Sequence, residues 1–318
     1  VGGFKAVAYS DFLQGVLMLG CLVTLPIVGV IATGGWGEMI ASLRAQDPAL
    51  LEPMGSYGLT TAGVISAAGS VAIGLAFLGS PQLLTRFMAA RDQKQIVDGG
   101  FWAVLCVIGF DVGAVFGGMA GRTLFPVLDD PETILPVMSA ELFPAFFTGI
   151  FLVVVLAAIM STVDSLLILA SSVVVRDVVQ KALGSRASER ALSMLGKGIT
   201  VVIGAVGLVV ALLEVRVIFD FVLFAWSGIA CAFTPVVLCS LFWRRTTRAG
   251  AVAGMIVGFG TTVVWVRMFK ADFYDLYEMI PGFVAGLAAC VLVSLVTRPD
   301  SEAVAELESV RETVGPVF

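Results

Sequence analysis

The chain has 318 residues, of which 58% are hydrophobic and 14% charged, and its net charge is -5 at pH 7. An ordinary soluble domain carries about 25% charged residues, so this composition, with a mean hydropathy of +1.01, predicts an integral membrane protein. The sequence contains no histidine, which excludes imidazole metal ligands and histidine general bases, and the acidic balance offers no basic face for nucleic acid.

Runs of about 20 apolar residues mark the candidate membrane spans. Eight occur, near residues 8–33, 61–85, 99–121, 143–175, 196–214, 217–243, 249–269 and 279–297. The sequence therefore predicts an all-α, polytopic membrane protein with a single transmembrane domain over residues 1–318 and a cytoplasmic tail from about residue 298. The fourth run exceeds one perpendicular crossing, which indicates a tilted helix or a helix extending into the cytoplasm.

The distribution of basic residues predicts the orientation of these spans. A cytoplasmic N-terminus places most of the 19 lysines and arginines on the inner side, in agreement with the positive-inside rule. The outer loops then carry mainly acids, namely Asp129, Asp130, Glu132, Glu141, Asp272, Asp275 and Glu278. We therefore expect an acidic outer surface.

Two spans contain residues that interrupt helices. The second holds Gly74, Gly79 and Pro81, and the sixth holds Trp226-Ser227-Gly228 followed by Pro235. A broken helix at membrane depth frees backbone groups, from which many secondary transporters build sites for solutes and ions. The alternative is a proline kink that neighbouring helices fill.

The fourth span contains a cluster of polar residues. At about 100° per residue, Ala158, Ser161, Thr162, Ser165 and Ser172 share one helical face, with Asp164 on its flank. Converging oxygens suit a small hard cation, whereas the alternative is that each hydroxyl bonds a carbonyl one turn earlier or a neighbouring helix. The acid favours a site, because a carboxylate in a low dielectric needs a cation or a proton.

Other polar residues carry less information. Asp11 opens the first span and is equally consistent with a helix cap near the membrane interface. Asp111 lies in the middle of the third span, without an assigned role. The five cysteines lie in apolar segments without metal or redox spacing. No nucleophile and base stand at a plausible spacing, so the sequence predicts neither an enzyme nor an organic cofactor.

Several segments, taken together, carry a family resemblance. They are Gly2 to Val7 followed by Asp11, Gln14 and Gly15; Gly79 to Pro81 followed by Arg86 to Ala89; Ala157 to Ser165; Ala225 to Gly228, Pro235 to Leu238 and Phe242 to Arg245; Gly250 and Gly254 to Gly258; and Leu276 to Phe283. In this order they resemble the sodium:solute symporter family, most closely its sodium/proline symporter branch.

The resemblance implies a leucine-transporter-type bundle of two inverted five-helix repeats. This chain would supply the last helix of the first repeat, the whole second repeat and two peripheral helices. The earlier helices of the same protein, including a first core helix that donates ligands, are the expected missing partners. The expected setting is the lipid bilayer of the plasma membrane, crossed many times, in a prokaryotic cell the inner membrane.

The resemblance also assigns site residues. The carbonyl of Ala158 with Ser161 and Thr162 matches the principal sodium site of the family. A second sodium site, described in some members, matches Asp11, Ser161, Asp164 and Ser165. Na+ is thus the expected coupling ion.

For the solute, the resemblance points to the second and sixth spans. The expected pocket residues are Ile73, Phe77, Pro81, Gln82, Trp226 and Ser227. The proline branch has Trp and Tyr where this chain has Ile73 and Phe77, which removes an aromatic face and a hydroxyl. The implied function is sodium-coupled symport of a small organic solute, proline or a related amino acid. The alternatives are transport of another monocarboxylate and a solute-sensing module of a signalling protein.

Overall fold

The computed structural model describes residues 3–52, 54–213 and 218–314, and these residues form helices and loops without a β-strand. In chain order the α-helices are α1 (Gly3–Ala32), α2 (Trp36–Gln46), α3 (Thr61–Ala72), α4 (Ala76–Gly79), α5 (Pro81–Met88), α6 (Gln93–Leu124), α7 (Ile134–Leu142), α8 (Ala145–Ser172), α9 (Glu189–Leu212), α10 (Ile218–Phe242), α11 (Arg248–Met268), α12 (Met279–Val296) and α13 (Ser301–Val314). Short 3-10 turns occupy Pro48–Leu51, Gly55–Tyr57, Ile73–Leu75, Pro131–Thr133 and Lys270–Phe273.

Eight segments are long and apolar enough to cross a membrane. They are Ala6–Ala32, Thr61–Gly79, Gln93–Leu124, Ala145–Ala182, Glu189–Leu212, Phe221–Phe242, Arg248–Met268 and Met279–Val296. Each matches one predicted span, so the prediction of an all-α polytopic membrane protein is confirmed. The predicted boundary between the fifth and sixth spans, residues 214–217, lies outside the described residues.

Two spans are longer than their apolar runs. The helix α6 begins at Gln93 because the side chain of Asp92 caps it, accepting a hydrogen bond from the amide of Gln95. The helix α8 continues as a π-helix over Val173–Ala182. A search for apolar runs does not detect these polar turns, because capping and backbone hydrogen bonds, rather than apolar side chains, stabilise them.

The predicted interruption of the second span is confirmed. The helix α3 ends at Ala72, a 3-10 turn covers Ile73–Leu75, and α4 ends at Gly79. Ser80 then adopts an extended conformation, with φ -66° and ψ 115°, before Pro81 begins α5. This geometry is expected for a residue that precedes proline, because the proline ring disfavours helical backbone there.

The predicted interruption of the sixth span is wrong. The helix α10 runs without a break through Trp226-Ser227-Gly228 and Pro235. Pro235 lacks the amide that would bond the carbonyl of Cys231 one turn earlier. That carbonyl lies against Gly258 of α11, so closely that a Cβ on Gly258 would overlap its oxygen. Close glycine packing accommodates the freed carbonyl, and the helix continues.

The same arrangement occurs around α1. Pro26 lies inside this helix, and the carbonyl that it leaves without an intrahelical donor is that of Leu22. Gly113 of α6 packs against this carbonyl, where a Cβ would again overlap the oxygen. In both cases a glycine on the neighbouring helix allows the close backbone approach that the proline requires.

The helices pack into two compact units. The first contains α1, α2 and α6 to α9, and Leu25, Met39, Leu43, Met138 and Phe151 lie in its core. The second contains α3 to α5 and α10 to α13, and its tightest contact joins α11 to α12 through Gly250, Gly254, Gly258, Gly282 and Gly286. The prediction of one transmembrane domain stays a prediction.

Candidate functional site

The hydroxyls of the fourth span converge on one carbonyl of α8. The Ser161 hydroxyl donates to the Ala158 carbonyl over 2.9 Å, and the Thr162 hydroxyl donates to the same carbonyl over 3.4 Å. One turn later, the Ser165 hydroxyl donates to the Ser161 carbonyl over 3.0 Å. The Ser161 and Thr162 hydroxyls donate their protons within their own helix, and their oxygens keep lone pairs that can accept a cation.

Asp164 lies on the flank of this cluster and is half-buried. Within the described part of the chain, its carboxylate forms neither a hydrogen bond nor an ion pair. Asp11 is also half-buried, on α1, which packs against α8 in the same unit. No group of three acidic or cysteine side chains suited to a metal ion occurs among the described residues. The donor set therefore consists of neutral oxygens with single acids nearby, which suits a monovalent hard cation better than a transition metal.

The solute residues predicted on the second and sixth spans meet in the second unit. The rings of Phe77 and Trp226 pack edge to face with centroids 5.2 Å apart. Ile73 and Trp226 both border the core cluster formed around Ala72, Ala76 and Tyr277. The structure thus joins the interrupted helix to α10 through aromatic and aliphatic side chains.

The interrupted segment also offers polar groups. Gln82, directly after Pro81, has a buried side-chain oxygen that accepts no hydrogen bond from the described residues. A buried acceptor without a donor costs free energy, about 1–3 kcal/mol, so this oxygen is suited to a ligand that brings a donor. Nearby, the Thr234 hydroxyl of α10 donates to the Leu75 carbonyl over 3.1 Å.

Ser227 is fully buried, and its hydroxyl already has protein acceptors. It lies 2.8 Å from the Phe224 carbonyl and 3.3 Å from the Oε1 atom of Glu278. The Oε2 atom of Glu278 accepts a hydrogen bond from Lys270 Nζ over 2.9 Å. The prediction that Glu278 belongs to an exposed acidic surface is therefore wrong, because its side chain is only 2% exposed and paired with a lysine.

Tyr277 stands beside this ion pair. Its hydroxyl donates to the Leu223 carbonyl over 3.1 Å. Burial, together with the negative charge of Glu278, raises the pKa of Tyr277 to about 12, although a hydrogen bond with Ser227 acts in the opposite direction. Tyr277 thus remains a neutral donor throughout the physiological pH range.

Sequence reasoning missed two polar groups that the structure singles out. Glu278 and its partner Lys270 resembled ordinary loop charges, and their one distinguishing signal is that Glu278 sits between Tyr277 and an apolar span. Gln14, on α1 after Asp11, has a buried side-chain oxygen with no hydrogen-bond donor among the described residues. Glutamine inside an otherwise apolar span was the available signal.

Comparisons with known proteins agree with this architecture. The profile described as "Sodium:solute symporter family" matches residues 1–258. The "High-affinity proline transporter PutP" of Bacillus subtilis (strain 168) is 39% identical over 96% of this chain and 64% of its own length.

Two further relatives cover nearly the whole chain. They are the "Osmoregulated proline transporter OpuE" of Bacillus subtilis (strain 168), 34% identical over 98% of this chain and 63% of its own length, and the "Sodium/proline symporter" of Staphylococcus aureus, 33% identical over the same shares. The chain thus spans less than two thirds of the length of these relatives. The relatives and the eight apolar spans indicate a multi-pass protein of the plasma membrane. The chain belongs to the sodium:solute symporter family.

Proposed function

We propose that the protein is a symporter that uses an inward sodium gradient to import a small organic solute, proline or a related amino acid. The observation that carries the proposal is the convergence of the Ser161 and Thr162 hydroxyls on the Ala158 carbonyl, with Asp164 unpaired in the described structure. In this proposal the three neutral oxygens bind the principal sodium ion. Asp11, Asp164 and Ser165 contribute with Ser161 to a second cation position.

The shape and polarity of the second unit support the choice of solute. Phe77, Ile73 and Trp226 present an apolar surface suited to the hydrophobic body of a small amino acid. The side-chain oxygen of Gln82, which accepts no hydrogen bond from the residues that the structure describes, is suited to an ammonium or imino group, which donates hydrogen bonds. Pro81 directly precedes it, where the break in the helix leaves polar backbone near the solute. A zwitterion with an apolar body satisfies both features, and the proline transporters among the relatives agree with it.

Transport of the solute is the whole of the proposed activity. The residues bind and release ions and solute, and no covalent chemistry is assigned to them. The protein is therefore proposed not to be an enzyme, and Na+ acts as a coupled substrate rather than as a resident cofactor.

Uptake by the intact protein tests this function. Proteoliposomes should accumulate labelled proline when an inward sodium gradient is imposed, and not when potassium replaces sodium. Unlabelled amino acids and monocarboxylates should compete for uptake, whereas sugars should not. If a sugar competes and no amino acid or carboxylate does, the proposed solute class is wrong. If accumulation is the same in potassium, sodium coupling is wrong.

A further inference from the structure

Three consecutive residues, the first residue of α12 and the two before it, bond three consecutive turns of α10. The Tyr277 hydroxyl donates to the Leu223 carbonyl, Glu278 accepts from Ser227, and the Cys231 thiol donates to the Met279 carbonyl over 3.4 Å. The α10 residues stand four apart, so they lie on one face of the helix. We call residues 277–279 the clasp.

Burial makes the clasp difficult to open. Glu278 is 1% exposed and Met279 is completely buried, as are Ser227 and Cys231 on α10. Removing Lys270 from the Glu278 carboxylate would leave a charge unpaired away from water, which strongly disfavours that arrangement. Lys270 itself lies in the loop after α11, so the ion pair also fixes this loop to the start of α12.

The helix that the clasp holds is also a wall of the solute region. Trp226 is the chain neighbour of Ser227 and packs edge to face against Phe77. One further contact, between Thr234 and the Leu75 carbonyl, joins the same helix to the interrupted segment. Any rotation of the first half of α10 away from the clasp would therefore displace Trp226 from Phe77.

We propose that Tyr277, Glu278 and Met279, with Lys270, are positioning residues for solute binding: they fix the first half of α10 and thereby hold Trp226 against Phe77. None of the four needs to touch the solute. The effect expected on solute affinity rests on the proposed transport function, whereas the effect expected on the accessibility of the Cys231 thiol does not.

Uptake kinetics test the first consequence. In the intact protein, Glu278→Gln and Lys270→Met should raise the KM for labelled proline about tenfold, the ratio expected when only about a tenth of the molecules keep α10 in the position that binds the solute. The maximal rate per folded transporter and the sodium concentration for half-maximal uptake should change less than about twofold, since α8 is not altered. Lys270→Arg should restore most of the affinity because it keeps the charge, and Asp272→Asn, on the same loop but exposed, should behave as wild type.

Thiol accessibility tests the clasp without transport. Cys231 is completely buried, and its thiol contacts the Met279 carbonyl. A membrane-impermeant maleimide, added to the outer face of intact cells and followed at Cys231 by peptide mass spectrometry, should label the wild type slowly. Labelling should accelerate at least about tenfold in Glu278→Gln and Lys270→Met, and remain slow in Lys270→Arg and Asp272→Asn.

The two readouts separate the possible failures. Faster labelling of Cys231 together with a raised KM supports the proposal. Faster labelling with an unchanged KM would show that the clasp holds α10 but does not position Trp226 for solute binding, and this result would overturn the proposal. Unchanged labelling together with an unchanged KM would also overturn the proposal. If the charge variants fail to fold, Tyr277→Phe, which removes only one hydroxyl, supplies the same test. Absence of proline uptake in the wild type would instead refute the proposed function, while the labelling result would still decide whether the clasp holds α10.

Discussion

Helices α8 and α10 both carry hydroxyls at membrane depth, but they use them differently. On α8, Ser161 and Thr162 donate to a carbonyl of their own helix, and Thr162 is exposed. On α10, Ser227 and Thr234 are both 0% exposed and also reach other elements: Thr234 bonds the Leu75 carbonyl, and Ser227 bonds Glu278 in addition to the Phe224 carbonyl of its own helix.

This contrast separates a candidate ligand site from a structural one. A hydroxyl bonded within its own helix can turn its lone pairs toward an ion without breaking contacts between helices. A hydroxyl that joins two helices cannot do so without leaving a buried partner unsatisfied. Residue type alone gives no such distinction, because serine and threonine occur in both places.

The largest expected effect concerns the packing that holds α10. Gly258→Ala should lower the free energy of unfolding by about 1–3 kcal/mol or more, because the new Cβ would overlap the Cys231 carbonyl. The matched control is Gly260→Ala on the same helix, where a Cβ would meet no described atom within 4 Å. Thermal unfolding of the purified protein in detergent measures both. Equal stability of the two variants would show that α10 is not tightly held at this point.

A pair of threonine variants tests the contrast directly. Thr162→Ala should weaken sodium activation of uptake about tenfold, since a lost ligand to a desolvated cation costs roughly 1.5–3 kcal/mol. It should leave thermal stability almost unchanged. Thr234→Ala should do the reverse, lowering stability by about 1–3 kcal/mol because the Leu75 carbonyl loses a donor. The half-maximal sodium concentration and the unfolding temperature are measured for each variant.

A third threonine controls for the chemistry of the substitution. Thr200 on α9 donates to the Gly196 carbonyl over 2.9 Å, the same one-turn geometry as Thr162. Thr200→Ala should leave sodium activation unchanged. If Thr162→Ala and Thr200→Ala give the same sodium curves as the wild type, the α8 cluster is ordinary helix packing and the proposed cation site is refuted.

The spans could be predicted from the sequence because the bilayer core imposes one local requirement, a long apolar run, on every crossing helix. The break before Pro81 was predictable for the same kind of reason, since proline constrains the residue before it. The continuity of α10 was not, because Gly258, which packs against the carbonyl freed by Pro235, lies on another helix. Such compensation depends on tertiary packing and leaves no local pattern.

The candidate site shows the same division. The α8 hydroxyls were identifiable because polar residues in an apolar run are unusual and lie within one turn. The role of Glu278 was not identifiable, because an acid beside a span resembles any loop acid until Lys270 and Ser227 are seen to surround it. Non-local partners thus decide which polar residues are structural.

Asp164, which has no partner in the described structure, can bind either sodium or a proton. If its carboxylate binds sodium, Asp164→Asn should lower the sodium cooperativity of uptake toward a Hill coefficient of one. If instead it carries a proton, the variant should flatten the dependence of uptake on pH. Sodium titrations at two pH values, with wild type and Asp164→Asn in parallel, distinguish these outcomes. If Asp164→Asn gives the same sodium curves as the wild type at both pH values, Asp164 does not belong to the site.

The smallest expected effect comes from an exposed ion pair of the first unit. Arg176 and Glu189 approach to 2.6 Å, with side chains 46% and 71% exposed. Water screens such a pair and ordering two long side chains opposes it, so Glu189→Gln should leave the unfolding temperature unchanged within error. The buried pair of Lys270 and Glu278 is expected to behave differently. Glu278→Gln should lower the unfolding temperature measurably, because the uncharged amide would leave Lys270 without its only ion-pair partner among the described residues. A similar decrease for both variants would show that burial does not govern the strength of these pairs, and the distinction between the two regions would fail.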